Sequence, residues 1–299
     1  MADAKTFLEA MDRKARMFAP SAWATFQANQ SLCSWLLNPL ARWTQAAYGD
    51  HAFEDAARGY ARYCLEVGKL QQIYEQTGKY TPQALPDVIA TVYEDEGYMV
   101  PYMWAAILIY PFWPSMINHV ALYRDEFLKN LPANAQVLEL ASGHGILSLL
   151  AAEERADIRI KGLDISPPAV AVANRLLDVS GHNGRIKFEV KDALALEEGG
   201  AESRYQGIIA AMLAEHLEDP LPLFRAISRL LAEDGLVFFS TAIESAQKDH
   251  IYEFNHESQP VKMAEDMGLR VTRLVSDAGS PVSSARFLPR AEAMILRRR

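Results

Sequence analysis

Short apolar runs alternate with helix-like stretches over the second half of the chain, and this alternation constrains the fold more than any other feature. The runs VLEL, IRIKGLDI, IKFEVKDA, GIIAAML and GLVFFSTA are separated by segments with helical spacing of apolar residues. Strands that alternate with helices form β-α-β units, whose strands run parallel and whose helices cover both faces of the sheet. We therefore predict an α/β fold with a doubly wound sheet.

The end of the chain departs from this alternation. The runs LRVTRLVSDA and AEAMILRRR follow each other, joined by a loop rich in Gly, Pro and Ser. Two strand-like runs joined in this way are typical of an antiparallel pair. With them the predicted sheet has seven strands, of which the last is antiparallel.

The first part of the chain has a different pattern. In stretches such as FEDAARGYARYCLEVGKLQQIYEQ the apolar residues recur every three or four positions, as in an amphipathic helix. We predict an all-helical domain over residues 1–130 that serves as a lid, and a sheet domain over residues 131–299. The apolar run VPYMWAAILIYPFWPSMI contains Pro101, Pro111 and Pro114, and between them it is shorter than the ~20 residues of a membrane span. We expect a buried helical segment and no membrane contact.

Composition excludes several classes of protein. The net charge of −8 argues against a nucleic-acid partner, because phosphate contacts require clustered Lys and Arg. Cys33 and Cys64 lie too far apart for a CxxC motif, so neither a disulfide framework nor a zinc site is indicated. The first residues lack the apolar core of a secretory signal, and we expect a cytoplasmic protein.

The first strand-to-helix turn, ASGHG, lies where sheets of this kind bind ligands. Gly143 and Gly145 allow a tight turn and a close approach of the backbone to a ligand. Asp164 ends the second strand nineteen residues after Gly145, where a carboxylate can accept the hydroxyls of a ribose. Asp192 follows the third strand and would lie near the base. These features predict a nucleoside ligand, and Ser148 at the third glycine position of GxGxxG makes NAD the weaker candidate.

With GLDIS, KDALAL and AEHLEDP, the stretch VLELASGHG resembles the motifs of class I S-adenosylmethionine-dependent methyltransferases over about residues 130–299. The resemblance implies a Rossmann-like fold with an antiparallel seventh strand, and S-adenosyl-L-methionine as cofactor. It places the methionine part by Glu139 and the glycine loop, the ribose on Asp164 and the adenine by Asp192. The family commonly has glycine where this chain has Ala141. The cofactor-binding candidates are Glu139, Ala141, Ser142, Gly143, Gly145, Asp164, Ile165, Asp192, Ala193 and Met212.

Catalytic candidates come from two segments. The aromatic segment before the sheet contributes Tyr110, Asn118 and His119, and a lid built from this segment would cover the cofactor. His216 follows the fourth strand, where many small-molecule members of the family place residues that contact the acceptor. It is a candidate general base, or else it closes a helix N-terminus. His250, with Tyr252, is expected to face the same cleft after the fifth strand, and His144 to orient the glycine loop. No metal is expected.

Two functional hypotheses of different class follow from the resemblance. The first is a methyltransferase that acts on a small molecule, in secondary metabolism. The second is an enzyme of the azetidine-2-carboxylate synthase type, in which the amino group of S-adenosylmethionine attacks its own γ-carbon and expels methylthioadenosine. A non-catalytic nucleoside-binding module is disfavoured, because a lid of this size excludes water from a reaction. A homodimer is one oligomeric state that we consider for this chain.

Overall fold

The first 130 residues are helical. The computed structural model describes residues 2–81, 84–197, 205–278 and 285–299. The helices of this part are α1 (Ala4–Lys14), α2 (Ala19–Ala28), α3 (Gln30–Tyr48), α4 (Ala52–Thr77), α5 (Leu85–Val88), α6 (Glu96–Phe112) and α7 (Pro114–Leu122). A π-helical turn at Ile89–Tyr93 follows α5, and another at Tyr123–Phe127 follows α7. The predicted helical character of this part is confirmed.

The rest of the chain forms a sheet of seven strands in the order β3-β2-β1-β4-β5-β7-β6. Strands β1 to β5 run parallel to one another, and β7 runs antiparallel to both β5 and β6. The Rossmann-like fold with an antiparallel last strand is confirmed. The strands are β1 (Gln136–Leu140), β2 (Arg159–Asp164), β3 (Ile186–Val190), β4 (Tyr205–Ala211), β5 (Leu231–Ile243), β6 (Leu269–Ala278) and β7 (Arg290–Arg298).

Helices connect the parallel strands, and local signals in the sequence mark where they begin. They are α8 (Ile146–Glu154), α9 (Pro167–Ser180), α10 (Leu221–Leu230) and α11 (Ser258–Asp266). The Ser166 hydroxyl accepts from the Ala169 backbone N–H at the start of α9, and Pro167 occupies a position where a helix needs no N–H donor. Gly181 ends α9 in the left-handed conformation, as a helix C-cap commonly does.

Successive residues of the strands face two different cores. Val137 of β1 belongs to a core that also contains the N-terminal helices, with Leu8, Leu37 and Leu108 among its members. Leu138, the next residue, belongs to a second core that includes Phe224 of α10. On the first face, α8 and α9 cover β2 and β3, and α7 covers β6 and β7. The other N-terminal helices pack on α9 or on one another, whereas α10 and α11 cover the second face.

The α6–α7 corner is sharp. Glu96–Phe112 and Pro114–Asn130 meet at an angle of 84°, at Trp113 and Pro114. Within the described residues no single helix is long and apolar enough to cross a membrane, although these two bent segments together would meet the length and composition required.

Candidate functional site

A cavity lies between the helices α4 to α6 and the carboxyl ends of strands β1 to β5. The cavity has a volume of about 210 Å³. Strand β1 lies next to the centre of the cavity wall and pairs with β2 on one side and β4 on the other. From β1 the chain first adds strands on the β2 side of the sheet and then on the β4 side. In sheets of this kind, ligands bind in the crevice at the point where the strand order reverses.

The loop after β1 forms part of the cavity wall. Ala141, Ser142, Gly143 and His144 all line the cavity. Ala141 and Gly143 have positive φ angles of 53° and 49°. The Nδ1 atom of His144 accepts from the Ile146 backbone N–H at 3.1 Å, so the ring orders the loop, as we expected.

Gly145, also predicted to bind the cofactor, is not among the residues that line the cavity. It caps the N-terminus of α8 with a φ of 68°. A Cβ atom at this position would lie 2.5 Å from Cζ of Phe188. Packing of the turn against β3 therefore requires glycine at this position.

Asp164 holds the loop after β1 in place. One carboxylate oxygen accepts from the Gly143 backbone N–H at 2.7 Å, and the other accepts from the Ser166 backbone N–H at 2.8 Å. The side chain lies in the cavity wall. Burial raises its pKa, while the two backbone N–H groups oppose that shift. Each oxygen of a carboxylate can accept more than one hydrogen bond, so both remain able to accept from a ligand.

Glu139 is buried beneath the same loop. Its carboxylate accepts from the Ser148 hydroxyl, and it lines the cavity. Burial raises the pKa of Glu139 to about 8, although the hydrogen bond from Ser148 opposes the shift. At neutral pH this side chain is therefore mostly protonated in the protein without ligand.

His216 faces the cavity from the turn after β4 and is held by several partners. Its Nδ1 atom lies 3.0 Å from the Asp249 backbone carbonyl and 3.2 Å from the Tyr93 hydroxyl. The Asp249 carboxylate lies 3.4 Å from the same nitrogen. Burial lowers the pKa of His216, but the Asp249 and Glu215 carboxylates outweigh this, so that overall it is raised. Because the Asp249 carbonyl and carboxylate can only accept, the neutral ring donates from Nδ1 and carries its lone pair on Nε2.

Glu215 and His250 lie beside His216. All three line the cavity, and one potential ligand atom from each lies within 4.8 Å of the others. Among the described residues this is a group with the composition and closeness needed to hold a metal ion. Tyr252, which we expected to accompany His250, does not line the cavity.

Tyrosine rings form much of the helical wall. Tyr63, Tyr93, Tyr102 and Tyr110 line the cavity. The Tyr102 hydroxyl donates to the Asp249 carboxylate at 3.0 Å, and the Tyr63 hydroxyl donates to Oε1 of Gln247 at 2.6 Å. These bonds tie α4 and α6 to the segment after β5.

Four of these lining residues escaped sequence-based prediction: Tyr63, Tyr93, Gln247 and Asp249. None belongs to a motif with fixed spacing. The helical periodicity of α4 marks Tyr63 only as a buried position. The one signal that could have identified Asp249 is that it is a polar residue in the segment after the fifth strand, since the strand ends of this sheet meet at the site.

Asn118 and His119 are not part of the cavity lining, and their expected place there is wrong. Asn118 is exposed and donates to the Asp277 carboxylate at 3.0 Å. His119 is fully buried in α7, where burial lowers its pKa to about 4. The 84° bend at Pro114 carries α7 away from the cavity.

The other predicted residues meet in the cavity wall. They come from the loops after β1, β2, β3 and β4 and from helix α6, and the structure brings together Tyr110, Ala141, Ser142, Gly143, Ile165, Asp192, Ala193 and Met212 with Glu139, Asp164 and His216. Ser142 is buried and its hydroxyl lacks a hydrogen-bond partner. A buried polar atom without a partner is costly, so this hydroxyl is a feature that a bound ligand would satisfy.

Residues 112–274 match a family model described as a methyltransferase domain. The ubiquinone biosynthesis O-methyltransferase of Nitrosomonas europaea is 33% identical over 138 residues, which are 46% of this chain and 55% of the relative. The chain spans about half the length of the curated relatives it matches.

Solved structures share the fold at low identity. A mitomycin 7-O-methyltransferase has a TM-score of 0.58 at 14% identity, covering 89% of this chain and 74% of its own. An O-methyltransferase from neocarzinostatin biosynthesis, solved with S-adenosylmethionine and 2-hydroxy-5-methyl naphthoic acid, has a TM-score of 0.56 at 14% identity, covering 86% and 74%.

Proposed function

The chain belongs to the methyltransferase-domain family, within the class I enzymes that use S-adenosyl-L-methionine as cofactor, and we propose that it methylates a small molecule held in the cavity. The observation that carries this proposal is the cavity itself. It combines a carboxylate anchored at the end of β2 with a histidine whose free nitrogen faces the same space.

The cavity wall suits the cofactor chemically. Asp164 would hold the ribose hydroxyls, and Asp192 with Ala193 would frame the adenine. Glu139 and the loop Ala141–Gly143 would hold the methionine part, with Ile165 and Met212 against the nucleoside. Two observations support this fit: the unpartnered Ser142 hydroxyl, and a lining that contains five acidic side chains, the protonated Glu139 among them, but, among the described residues, no Lys or Arg. Such a lining favours a ligand with positive charge.

When bound, S-adenosyl-L-methionine supplies a methyl group that the adjacent sulfonium makes electrophilic. The chain then has to exclude water, align the acceptor and remove its proton. The rings of Tyr63, Tyr93, Tyr102 and Tyr110 close the helical side of the cavity and would exclude water. We propose that the helical part of the chain, residues 1–130, acts as a lid in this sense.

His216 is the residue that we propose removes the acceptor's proton. The Asp249 backbone carbonyl, together with its carboxylate, fixes Nδ1 as the donor. Nε2 is left with a lone pair, as in other histidine bases oriented by an acidic partner. Tyr110 lines the same space and would position the acceptor.

The acceptor that this lining favours is an uncharged small molecule with a hydroxyl group. An anionic acceptor would meet several carboxylates and, within the described lining, no cationic Lys or Arg. The relatives named as O-methyltransferases of ubiquinone, mitomycin and neocarzinostatin biosynthesis support oxygen as the nucleophile. The last two support a place in secondary metabolism.

In the second hypothesis the amino group of the cofactor, once it has given up its proton, attacks the γ-carbon of its own chain and expels methylthioadenosine. The nucleoside product separates the two reactions. We expect that incubation with S-adenosylmethionine and a panel of phenols and other hydroxylated small molecules yields S-adenosylhomocysteine only when an acceptor is present. Methylthioadenosine formed from the cofactor alone would instead establish cyclisation. His216→Gln should abolish acceptor-dependent turnover while leaving S-adenosylhomocysteine binding intact.

A further inference from the structure

Three side chains at the carboxyl ends of β4 and β5 form a compact group, here named the Glu215–His216–His250 cluster. One potential ligand atom from each residue lies within 4.8 Å of the other two. The two imidazole rings stand at 89° to each other, with their centroids 4.9 Å apart. All three residues belong to the cavity wall.

Glu215 contributes a carboxylate oxygen without a partner. The residue is 0% exposed. Its Oε2 atom accepts from the Thr241 hydroxyl at 2.7 Å, whereas its Oε1 atom is buried without a hydrogen-bond partner. An unpaired buried carboxylate oxygen is costly, and a cation next to it would remove that cost.

Both histidines of the cluster are oriented by backbone carbonyl groups. His216 Nδ1 lies 3.0 Å from the Asp249 carbonyl oxygen, and His250 Nδ1 lies 2.7 Å from the Ser245 carbonyl oxygen. A neutral imidazole that donates from Nδ1 carries a lone pair on Nε2. Histidines that bind metals are held in this way, with the second nitrogen donating to a carbonyl or carboxylate.

We propose that the Glu215–His216–His250 cluster binds a divalent transition-metal cation such as Zn²⁺. Two imidazole nitrogens and one carboxylate oxygen are a ligand set that zinc accepts, with a fourth position left open to the cavity. Bonds of about 2.0–2.2 Å to zinc require the three ligand atoms to move closer together than their present spread. The Oε1 atom of Glu215 has no hydrogen-bond partner to give up in this movement.

The cation and the acceptor's proton compete for one lone pair. If His216 acts as the base of the proposed function, a cation on its Nε2 atom withdraws that base. The cluster would then be an inhibitory site, through which zinc slows methyl transfer. This consequence rests on the proposed function, whereas binding of the cation does not.

Binding is tested first, on the full chain freed of metals with a chelator and titrated with Co²⁺, whose visible absorption reports nitrogen and oxygen ligands. We expect saturation at one equivalent and displacement by Zn²⁺. Glu215→Gln and His250→Gln should each weaken binding by about tenfold or more. His51→Gln, which removes an exposed histidine, should bind as the unmodified chain does, and thermal unfolding shows whether each variant is folded. An absent spectrum, or equal affinity in folded His250→Gln, would overturn the site.

Inhibition is tested separately, once an acceptor is known. Zn²⁺ at saturating occupancy should lower the rate of methyl transfer, and a chelator should restore it. Stimulation by Zn²⁺, or an unchanged rate at full occupancy, would overturn the competition at His216. A cation spectrum without any methyl transfer would leave the site established and remove only the proposed function.

Discussion

Three residues other than glycine take left-handed backbone conformations directly after neighbouring strands. Ala141, Met212 and Glu244 follow β1, β4 and β5, with φ angles of 53°, 50° and 50°. Ala141 and Met212 also line the cavity. Because this conformation costs a non-glycine residue about 1–2 kcal/mol, strain is concentrated where the strands deliver their side chains to the site.

Ala141 offers a direct measure of that strain. Ala141→Gly should raise the free energy of unfolding by up to about 1 kcal/mol, since relief of the left-handed strain exceeds the entropy that glycine adds to the unfolded chain. Urea unfolding measures the change. Ala61→Gly, in the middle of α4, is the matched control and should destabilise by about 0.5–1 kcal/mol. Equal losses at both positions would show that Ala141 is not strained.

Asp164 should dominate cofactor affinity among the acidic residues. Asp164→Asn leaves one acceptor oxygen in place of two, so the hydrogen bonds of the ribose and of the loop N–H groups cannot all be kept. At about 1.5–3 kcal/mol for a hydrogen bond to a charged group, affinity for S-adenosylhomocysteine should fall roughly ten- to hundredfold. Titration calorimetry measures this, with the exposed Asp178→Asn as control. Unchanged affinity would remove Asp164 from the cofactor site.

Because the pKa of Glu139 is raised, we expect cofactor binding to be coupled to proton release. Burial raises the pKa of Glu139 from 4.5 to about 8. Between pH 4.5 and pH 8 the carboxyl group is therefore protonated in the folded chain and ionised in the unfolded chain. It therefore contributes a loss of stability as the pH rises through that window. A cationic cofactor beside it favours ionisation, so binding at pH 7 should release a proton, and affinity should rise towards pH 8.

Calorimetry in buffers of different ionisation enthalpy counts the released proton. Glu139→Gln has no proton to release and should show the same heat in every buffer. Buffer-dependent heat that persists in Glu139→Gln would assign the proton to another group.

The parts of the site that could be predicted from sequence lie at strand ends. Asp164 and Asp192 were placed because parallel strands deliver their carboxyl ends to one edge of a sheet. Tyr63 and Asp249 could not be placed in the same way. They meet the cavity through packing between segments far apart in sequence, joined through Tyr102, whose hydroxyl bonds to Asp249.

At the scale of elements, the bend between α6 and α7 decides which aromatic and polar residues reach the cavity. The sequence from Tyr98 to Ile117 is apolar or aromatic apart from Ser115, so its periodicity does not indicate where one helix ends. Pro114 begins α7 at 84° to α6. Tyr102 and Tyr110 therefore line the cavity from α6, whereas the polar residues of α7 lie elsewhere.

The contact between α4 and α6 holds the tyrosine wall together, and it depends on one glycine. A Cβ atom at Gly59 would lie 2.6 Å from the Pro101 carbonyl oxygen, whereas one at Gly68, in the same helix, would meet nothing within 4 Å. Gly59→Ala should therefore destabilise the chain by about 1–3 kcal/mol through overpacking. It should also weaken S-adenosylhomocysteine binding, since Tyr63 and Tyr102 flank the contact.

Gly68→Ala is the matched control for this prediction. The same substitution in open space removes only the entropic cost of glycine, and should stabilise α4 by about 0.5–1 kcal/mol. Thermal unfolding and calorimetry on both variants provide the comparison. Stabilisation by Gly59→Ala would contradict the prediction, because it would mean that α4 and α6 can move apart without loss of folding stability.

At the scale of the whole molecule, the order of the strands follows from the alternation of strands and helices, but the position of the N-terminal helices does not. Helical periodicity shows that each of these helices has a buried face, without showing what covers it. In the structure α7 packs on β6 and β7, whereas α3 and α6 pack on α9, and residues as distant as Leu8 and Ile295 thereby belong to one core.

This shared core makes a prediction about the lid. Residues 131–299 alone would lose α7 and the turn Tyr123–Phe127, which pack against strands β5 to β7, and would expose Phe238 and Ile295, both buried in the full chain. They would also lose Tyr63 and Tyr102 from the cavity wall. An exposed apolar face of this size promotes aggregation, so the fragment should be insoluble or bind S-adenosylhomocysteine poorly. Co-expression with residues 1–130 should restore solubility and binding, because the missing cover is then supplied in trans. Size-exclusion chromatography and calorimetry measure both properties, and a soluble fragment with unchanged affinity would show that the helices are not a lid but a separate domain.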